Sequence, residues 1–192
     1  MQCVTGGWKK LLMHHEAVIG YRDAAPDDMR FVRHSWVESY RTSHYAGPIP
    51  MRDYFRIYHD VVKRLVARED SHVMVAFNPQ YESQIFGFVA YERGFSLPLV
   101  NYIYVKEDFR ELPTKDSTFK EGLATMLLRE INIDPKKPFY YTFKTGAWAW
   151  LTKRSGPFSG GVFQPLLARF EKREAVEHEK QETPKKRDRK CA

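Results

Sequence analysis

The chain has almost no cysteine. Its two thiols, Cys3 and Cys191, lie at opposite ends of 192 residues. They make neither a disulfide framework nor a thiolate metal cluster, and a reducing, intracellular and cytoplasmic setting is the simple reading. No apolar run approaches the roughly 20 residues that cross a bilayer, so no membrane role is expected. Residues 1–16 are short, basic and apolar, without the apolar region and cleavage site of a secretory signal, and read as a leader. The histidines show no metal spacing: His14 and His15 are adjacent and point to opposite sides of a strand, and His34, His59, His72 and His178 are scattered. No metal is expected, and no internal repeat is present.

What is there is a well-filled interior. Hydrophobic residues make up 43% and aromatics 15%, enough for one packed α/β or α+β domain with a cleft. The net charge is +7. Much of the basic excess falls outside the patterned region, in the charged segment 171–192, which is expected to be a frayed helix running into a disordered tail. Nucleic acid, an anionic cofactor and plain solubility all fit that charge.

Hydrophobic spacing orders the rest. Val18–Arg22 is short and β-prone. Pro26-Asp27-Asp28 puts proline in a first helical turn and two acids at the positive end of its dipole. A helix is expected from there to about Thr42, with Phe31, Val32, Trp36, Val37 and Tyr40 inward. After the loop Ser43–Pro50, a second helix is expected over Asp53–Arg68. Tyr54, Ile57, Tyr58, Val61, Val62 and Leu65 face inward, and Arg52, Arg56, Lys63, Arg64 and Arg68 form a mostly outward basic stripe. His72–Phe77 and Gln84–Glu92 predict an antiparallel pair, and Leu99–Val105 a third strand. A helix over Phe119–Ile131, a strand over Phe139–Phe143, a short helix over Ala147–Arg154 and a strand over Val162–Phe170 complete the order β-α-α-β-β-β-α-β-α-β. Trp148 and Trp150 are two apart on that short helix, so they diverge.

The most informative stretch is residues 97–128. The β-rich run LVNYIYV leads into a charged segment with Arg110, then into a helix beginning near Lys120-Glu121-Gly122-Leu123-Ala124. Backbone N–H groups at such a helix start have no partners in the helix and face the end of the preceding strand, an arrangement suited to a phosphate.

Three segments together resemble the GNAT acyltransferase superfamily. Gly20-Tyr21-Arg22-Asp23-Ala24-Ala25-Pro26-Asp27-Asp28 is similar to its opening, an Arg-x-Ala before an acidic helix start. Ile103-Tyr104-Val105-Lys106-Glu107-Asp108-Phe109-Arg110 is similar to the end of its fourth strand, and Gly122-Leu123-Ala124 to the Gly-x-Gly/Ala that closes its acyl-coenzyme A pyrophosphate loop. The resemblance covers residues 17–170 and departs in two places. The family's arginine and glycines are contiguous, whereas here Glu111–Thr118 reads as an insertion carrying Glu111 and Asp116 toward the phosphate position. The position of a tyrosine that protonates the leaving thiolate is held by Thr152.

The resemblance implies a mixed, mostly antiparallel sheet with helices on both faces. It implies acetyl-coenzyme A as acyl donor and a small-molecule or peptide amine as acceptor. The backbone of Ile103 to Val105 would hold the pantetheine arm. The N–H groups of Leu123, Ala124 and Thr125, at the turn made by Gly122, would face the pyrophosphate, with Arg110 and Lys120 adding positive charge. For the general base the residues leave Tyr102, Tyr104, Glu92 and His44 open. His44 has the intrinsic pKa for the task and lies in the loop between the first two helices. Two other readings stand beside transfer: a protein of this fold acting as a binding or structural module, and a nucleic-acid-modifying relative, less favoured because no base-reading motif is present.

Overall fold

A computed structural model describes residues 19–44, 46–110, 122–134, 136–152 and 158–168. The leader, the inserted segment 111–121 with Lys120, and the tail lie outside the described residues. The elements are β1 (Gly20–Asp23), α1 (Asp28–Arg41), α2 (Met51–Val66), β2 (Ser71–Asn78), β3 (Tyr81–Glu92), β4 (Leu99–Val105), α3 (Leu123–Glu130), β5 (Phe139–Tyr141), α4 (Gly146–Leu151) and β6 (Gly161–Phe163). They follow the expected order. The six strands form one sheet in sequence order. The β1 to β4 neighbours are antiparallel, and β4–β5 and β5–β6 are parallel. Each parallel pair is joined through a helix, as parallel connections require.

Alternation along the strands sends side chains to two separate cores. Val32, Trp36, Tyr54, Val62 and Leu65 of α1 and α2 pack on one face against Val75, Phe88 and Tyr102. Leu123, Leu127 and Leu128 of α3 and Trp148 and Leu151 of α4 pack on the other against Val89, Val100 and Ile103. Both faces are therefore covered, and Trp148 is fully buried, stacked on Tyr141 with centroids 4.7 Å apart.

Several boundaries differ from expectation, for local reasons. Helix α1 begins at Asp28, and Asp27 caps it without a side-chain bond. The Asp28 carboxylate instead turns back to accept the Ala25 N–H at 2.7 Å and the Arg22 guanidinium. Helix α2 begins at Met51 because Pro50 can supply its carbonyl to Tyr54 N–H (2.9 Å) with no donor of its own to lose. Ile57, expected inward, is 43% exposed. Strand β5 stops at Tyr141, and the last expected strand shortens to Gly161–Phe163 before Pro165 opens a 3₁₀ turn to Ala168. Helix α3 ends where Asn132 takes φ +63°, letting Asn132 N–H reach Arg129 O (2.8 Å) and Ile133 N–H reach Leu128 O (3.0 Å).

The Arg22–Asp28 pair ties β1 to α1 and makes stability depend on pH. The bonded Arg22 guanidinium, helped by the Ala25 N–H, holds the Asp28 carboxyl below its ordinary value against the opposing effect of burial. A depressed carboxylate stabilises fully above its unfolded pKa of about 3.9 and loses that contribution as pH falls through the lower folded value. Asp28→Asn is expected to cost about 2 kcal/mol at neutral pH. It should also flatten the acid limb of the urea midpoint against pH below about 4. An unchanged acid limb would rule out this pair as its source.

Candidate active site

Strands β4 and β5 run together only briefly. They pair at Leu99–Tyr140 and Val100–Tyr141, and Thr142 N–H adds a bond to Val100 O at 3.2 Å. Past Thr142 the chain turns away, with Phe143 entering the α1–α2 core and α4 beginning at Gly146. The second half of β4 thus keeps its β3 neighbour but has no β5 ladder beside it. The two strands form a V whose apex is at Asn101 and Thr142.

The apex is a β-bulge held by buried polar groups. Ala90 faces Tyr102 and Tyr91 faces Val100, so Asn101 has no opposite residue on β3. Its side chain is fully buried. Its amide donates to Glu92 Oε1 at 2.6 Å, and the Thr142 hydroxyl lies 3.0 Å from its Oδ1 and 3.2 Å from its carbonyl. Glu92, itself 2% exposed, is paired with Arg68 at 2.9 Å. Arg68 also donates to the carbonyls of Leu167 (3.2 Å) and Ala168 (3.0 Å). Four side chains from four parts of the chain thereby satisfy one another where a lone buried polar group would be costly. Only Glu92 among them stood out as a candidate in sequence. The available signal for Asn101 was an amide inside the apolar run LVNYIYV.

The open end of the V lies near the start of α3. The Arg110 Nε–H donates to Val105 O at 3.4 Å. A Cβ placed on Gly122 would come 3.2 Å from the Arg110 carbonyl. The two sides of the inserted segment therefore meet, and Arg110 and Gly122 are neighbours in space although eleven residues separate them in sequence. Gly122 is the N-cap of α3, with φ −70° and ψ 155°. Its carbonyl accepts Thr125 N–H at 2.9 Å and Met126 N–H at 3.3 Å. Thr125 N–H is thus engaged inside the turn, its side chain is buried, and Leu123 and Ala124 carry the first-turn N–H groups without a helical acceptor.

The other expected site residues are placed as follows. Ile103 and Val105 are buried against α3. Tyr102 is 2% exposed, stacked on Trp36 at 4.9 Å, and its hydroxyl lies 2.9 Å from Ser39 Oγ. Burial pushes its phenol well above the ordinary tyrosine value, so it remains protonated near neutral pH. Tyr104 is half-buried on the same side of the sheet, 5.6 Å from Phe88 and 6.1 Å from Phe31. His44 is an exposed residue of the α1–α2 loop. The Thr152 hydroxyl donates to Trp148 O at 2.7 Å. Among the described residues no group of three metal-ligating side chains occurs, and no helix is long and apolar enough to cross a membrane.

No protein-family model matches the chain, and no curated protein matches it in sequence. Solved structures do match. A protein of Pyrococcus furiosus described as a candidate acetyl transferase is 17% identical, with 82% of this chain and 92% of that chain covered and a TM-score of 0.47. The PaiA N-acetyltransferase of Thermoplasma acidophilum, in complex with coenzyme A, is 17% identical over 59% of this chain and 69% of its own, with a TM-score of 0.40. A GNAT family acetyltransferase of Brucella melitensis, in complex with acetyl-coenzyme A, is 19% identical over 60% and 66%, with a TM-score of 0.39.

Proposed function

We propose that the chain is an acyl-coenzyme A dependent N-acyltransferase. The observation that carries this reading is the V between β4 and β5, which opens toward a helix N-terminus capped by Gly122 beside Arg110. An extended thioester arm fits the unpaired side of β4, along the backbone of Ile103 to Val105. Its pyrophosphate fits the N–H groups of Leu123 and Ala124, with the Arg110 guanidinium and Lys120 supplying charge.

Transfer needs an amine lone pair to attack the thioester carbonyl, the C–S bond to break, and one proton to leave the amine as the thiolate gains one. The Asn101–Glu92–Arg68 chain fixes the bulge beside which the carbonyl would lie, and so sets the distance between donor and acceptor. Tyr102 contributes by packing, because its hydroxyl is held by Ser39. Tyr104 and His44 are the side chains with enough exposure to exchange a proton with an acceptor. A peptide or small-molecule amine entering by the α1–α2 loop would meet His44 first.

The test is acetyl-coenzyme A binding. At 100 times its Kd the ligand should stabilise the protein by about 2.7 kcal/mol. Gly122→Ala, which crowds the Arg110 carbonyl, should weaken binding roughly ten-fold, equivalent to about 1.4 kcal/mol, while leaving the unliganded melting temperature within a few degrees. If saturating acetyl-coenzyme A moves neither melting temperature nor tryptophan fluorescence, the reading fails. A second reading, a donor-binding protein without transfer, is favoured by the Thr152 hydroxyl being committed to a helix carbonyl. It predicts binding with no thiol released in the presence of any amine.

A further inference from the structure

Away from the V, an open groove of about 670 Å³ lies between α1 and α2. Helix periodicity builds it: the N-cap Asp27 and Arg30, Phe31 and His34 of α1 fall at i, i+3, i+4 and i+7, and His59 and Lys63 of α2 at i and i+4. With Arg33, the wall holds three permanent cations and two histidines against one carboxylate.

The helices treat these cations differently from their neighbours. On α2, Arg56 is paired with Asp53 at 3.1 Å and Arg64 with Asp60 at 3.2 Å. Those two arginines belong to the basic stripe read in sequence, and local acids neutralise them. Lys63 lies one residue from Arg64 yet faces the groove, and among the described residues it, Arg30 and Arg33 have no acid partner. Lys106 adds a cation behind the wall, its Nζ 4.9 Å from the Phe31 ring centroid. Positive charge, opposed in the wall by Asp27 alone, is thus gathered at one concave place beside the Phe31 ring, with Arg33 Nε donating to Met29 O at 3.1 Å. Its volume suits a small ligand, and guanidinium forks match phosphate oxygens.

We infer that the α1–α2 groove binds a phosphate-bearing small molecule of nucleotide size, held by Arg30, Arg33 and Lys63 and separate from the β4–β5 cleft. The inference is independent of acyl transfer. The phosphate could belong to a free ligand or to a nucleic-acid backbone. The lining spans only Asp27 to His34 along α1 and His59 to Lys63 along α2, and that short extent favours the free ligand.

Calorimetric titration tests it with three probes: inorganic tripolyphosphate, a single-stranded DNA 12-mer and acetyl-coenzyme A. Tripolyphosphate is expected to bind one per chain, more weakly as salt rises. Arg30→Glu and Lys63→Glu, both at exposed positions, should each weaken it at least ten-fold, with the melting temperature and acetyl-coenzyme A affinity unchanged. No heat from millimolar tripolyphosphate overturns the inference. Binding of the 12-mer without tripolyphosphate also overturns it, in favour of a nucleic-acid surface. A parallel loss of acetyl-coenzyme A affinity in the two variants overturns it by assigning the groove to the donor site.

Discussion

Glu92→Ala is expected to destabilise the protein by about 3 kcal/mol, near the lower end of what breaking a buried ion pair costs. The carboxylate is 2% exposed and its partner Arg68 17%, so water recovers part of the loss at the arginine end. Removal strands the Arg68 guanidinium and the Asn101 amide together, because both use Glu92 Oε1. Urea denaturation measures the loss. Glu92→Gln keeps an acceptor for both donors and should lose less. Replacing both partners, Arg68→Met with Glu92→Leu, should cost less than the sum of the single changes, since no buried charge is left unpaired. Additive single changes would mean that the two side chains do not act as a pair. The same variants should bind acetyl-coenzyme A more weakly than wild type even where they remain folded, because the bulge at Asn101 loses its support.

Gly87→Ala should be the most damaging single methyl group in the sheet. A Cβ at this position would lie 2.5 Å from the Tyr104 carbonyl oxygen and 3.2 Å from Val105 Cα, both backbone atoms of β4. A side chain could rotate away, but a central strand flanked by two cores cannot. The expected cost is about 3 kcal/mol, a melting temperature lower by roughly 6–12 °C for a chain of this size. The shift that relieves the clash would push β4 at the open end of the V, so donor affinity should fall as well. Gly146→Ala is the control: a Cβ there meets nothing within 4 Å, and it should leave stability unchanged or slightly raised. A neutral Gly87→Ala would show that β4 yields more easily than its packing implies.

Much of the architecture is written in local patterns. Strand β4 was expected at Leu99–Val105 and forms over those residues, since an apolar, β-branched and aromatic run with a charged boundary has one good backbone solution. The inward faces of α1 and α2 followed from helical spacing, with Ile57 the exception. Spacing marks a direction around a helix, and the width of the face that gets covered depends on what packs there. Asp28 stayed the acid of the first turn of α1 and also bound Arg22, whereas a boundary moved where a remote partner decided it: β5 ended early because Phe143 found the α1–α2 core.

The site was less legible. Tyr102 and Tyr104 were expected on one face, and they share it, but alternation could not distinguish a core aromatic from a reactive one. The stack on Trp36 and the bond to Ser39 make that distinction for Tyr102. Arg68 read as part of an outward stripe and is instead an inner ligand of Glu92.

Strand β4 and the body of helix α3 were determined by sequence alone, because backbone propensity and capping act over a few neighbouring residues. Where Arg110 stands against Gly122 and where β4 parts from β5 were decided only in the folded chain. Those relations join residues far apart in sequence, and only the packing of two cores against one sheet brings them together.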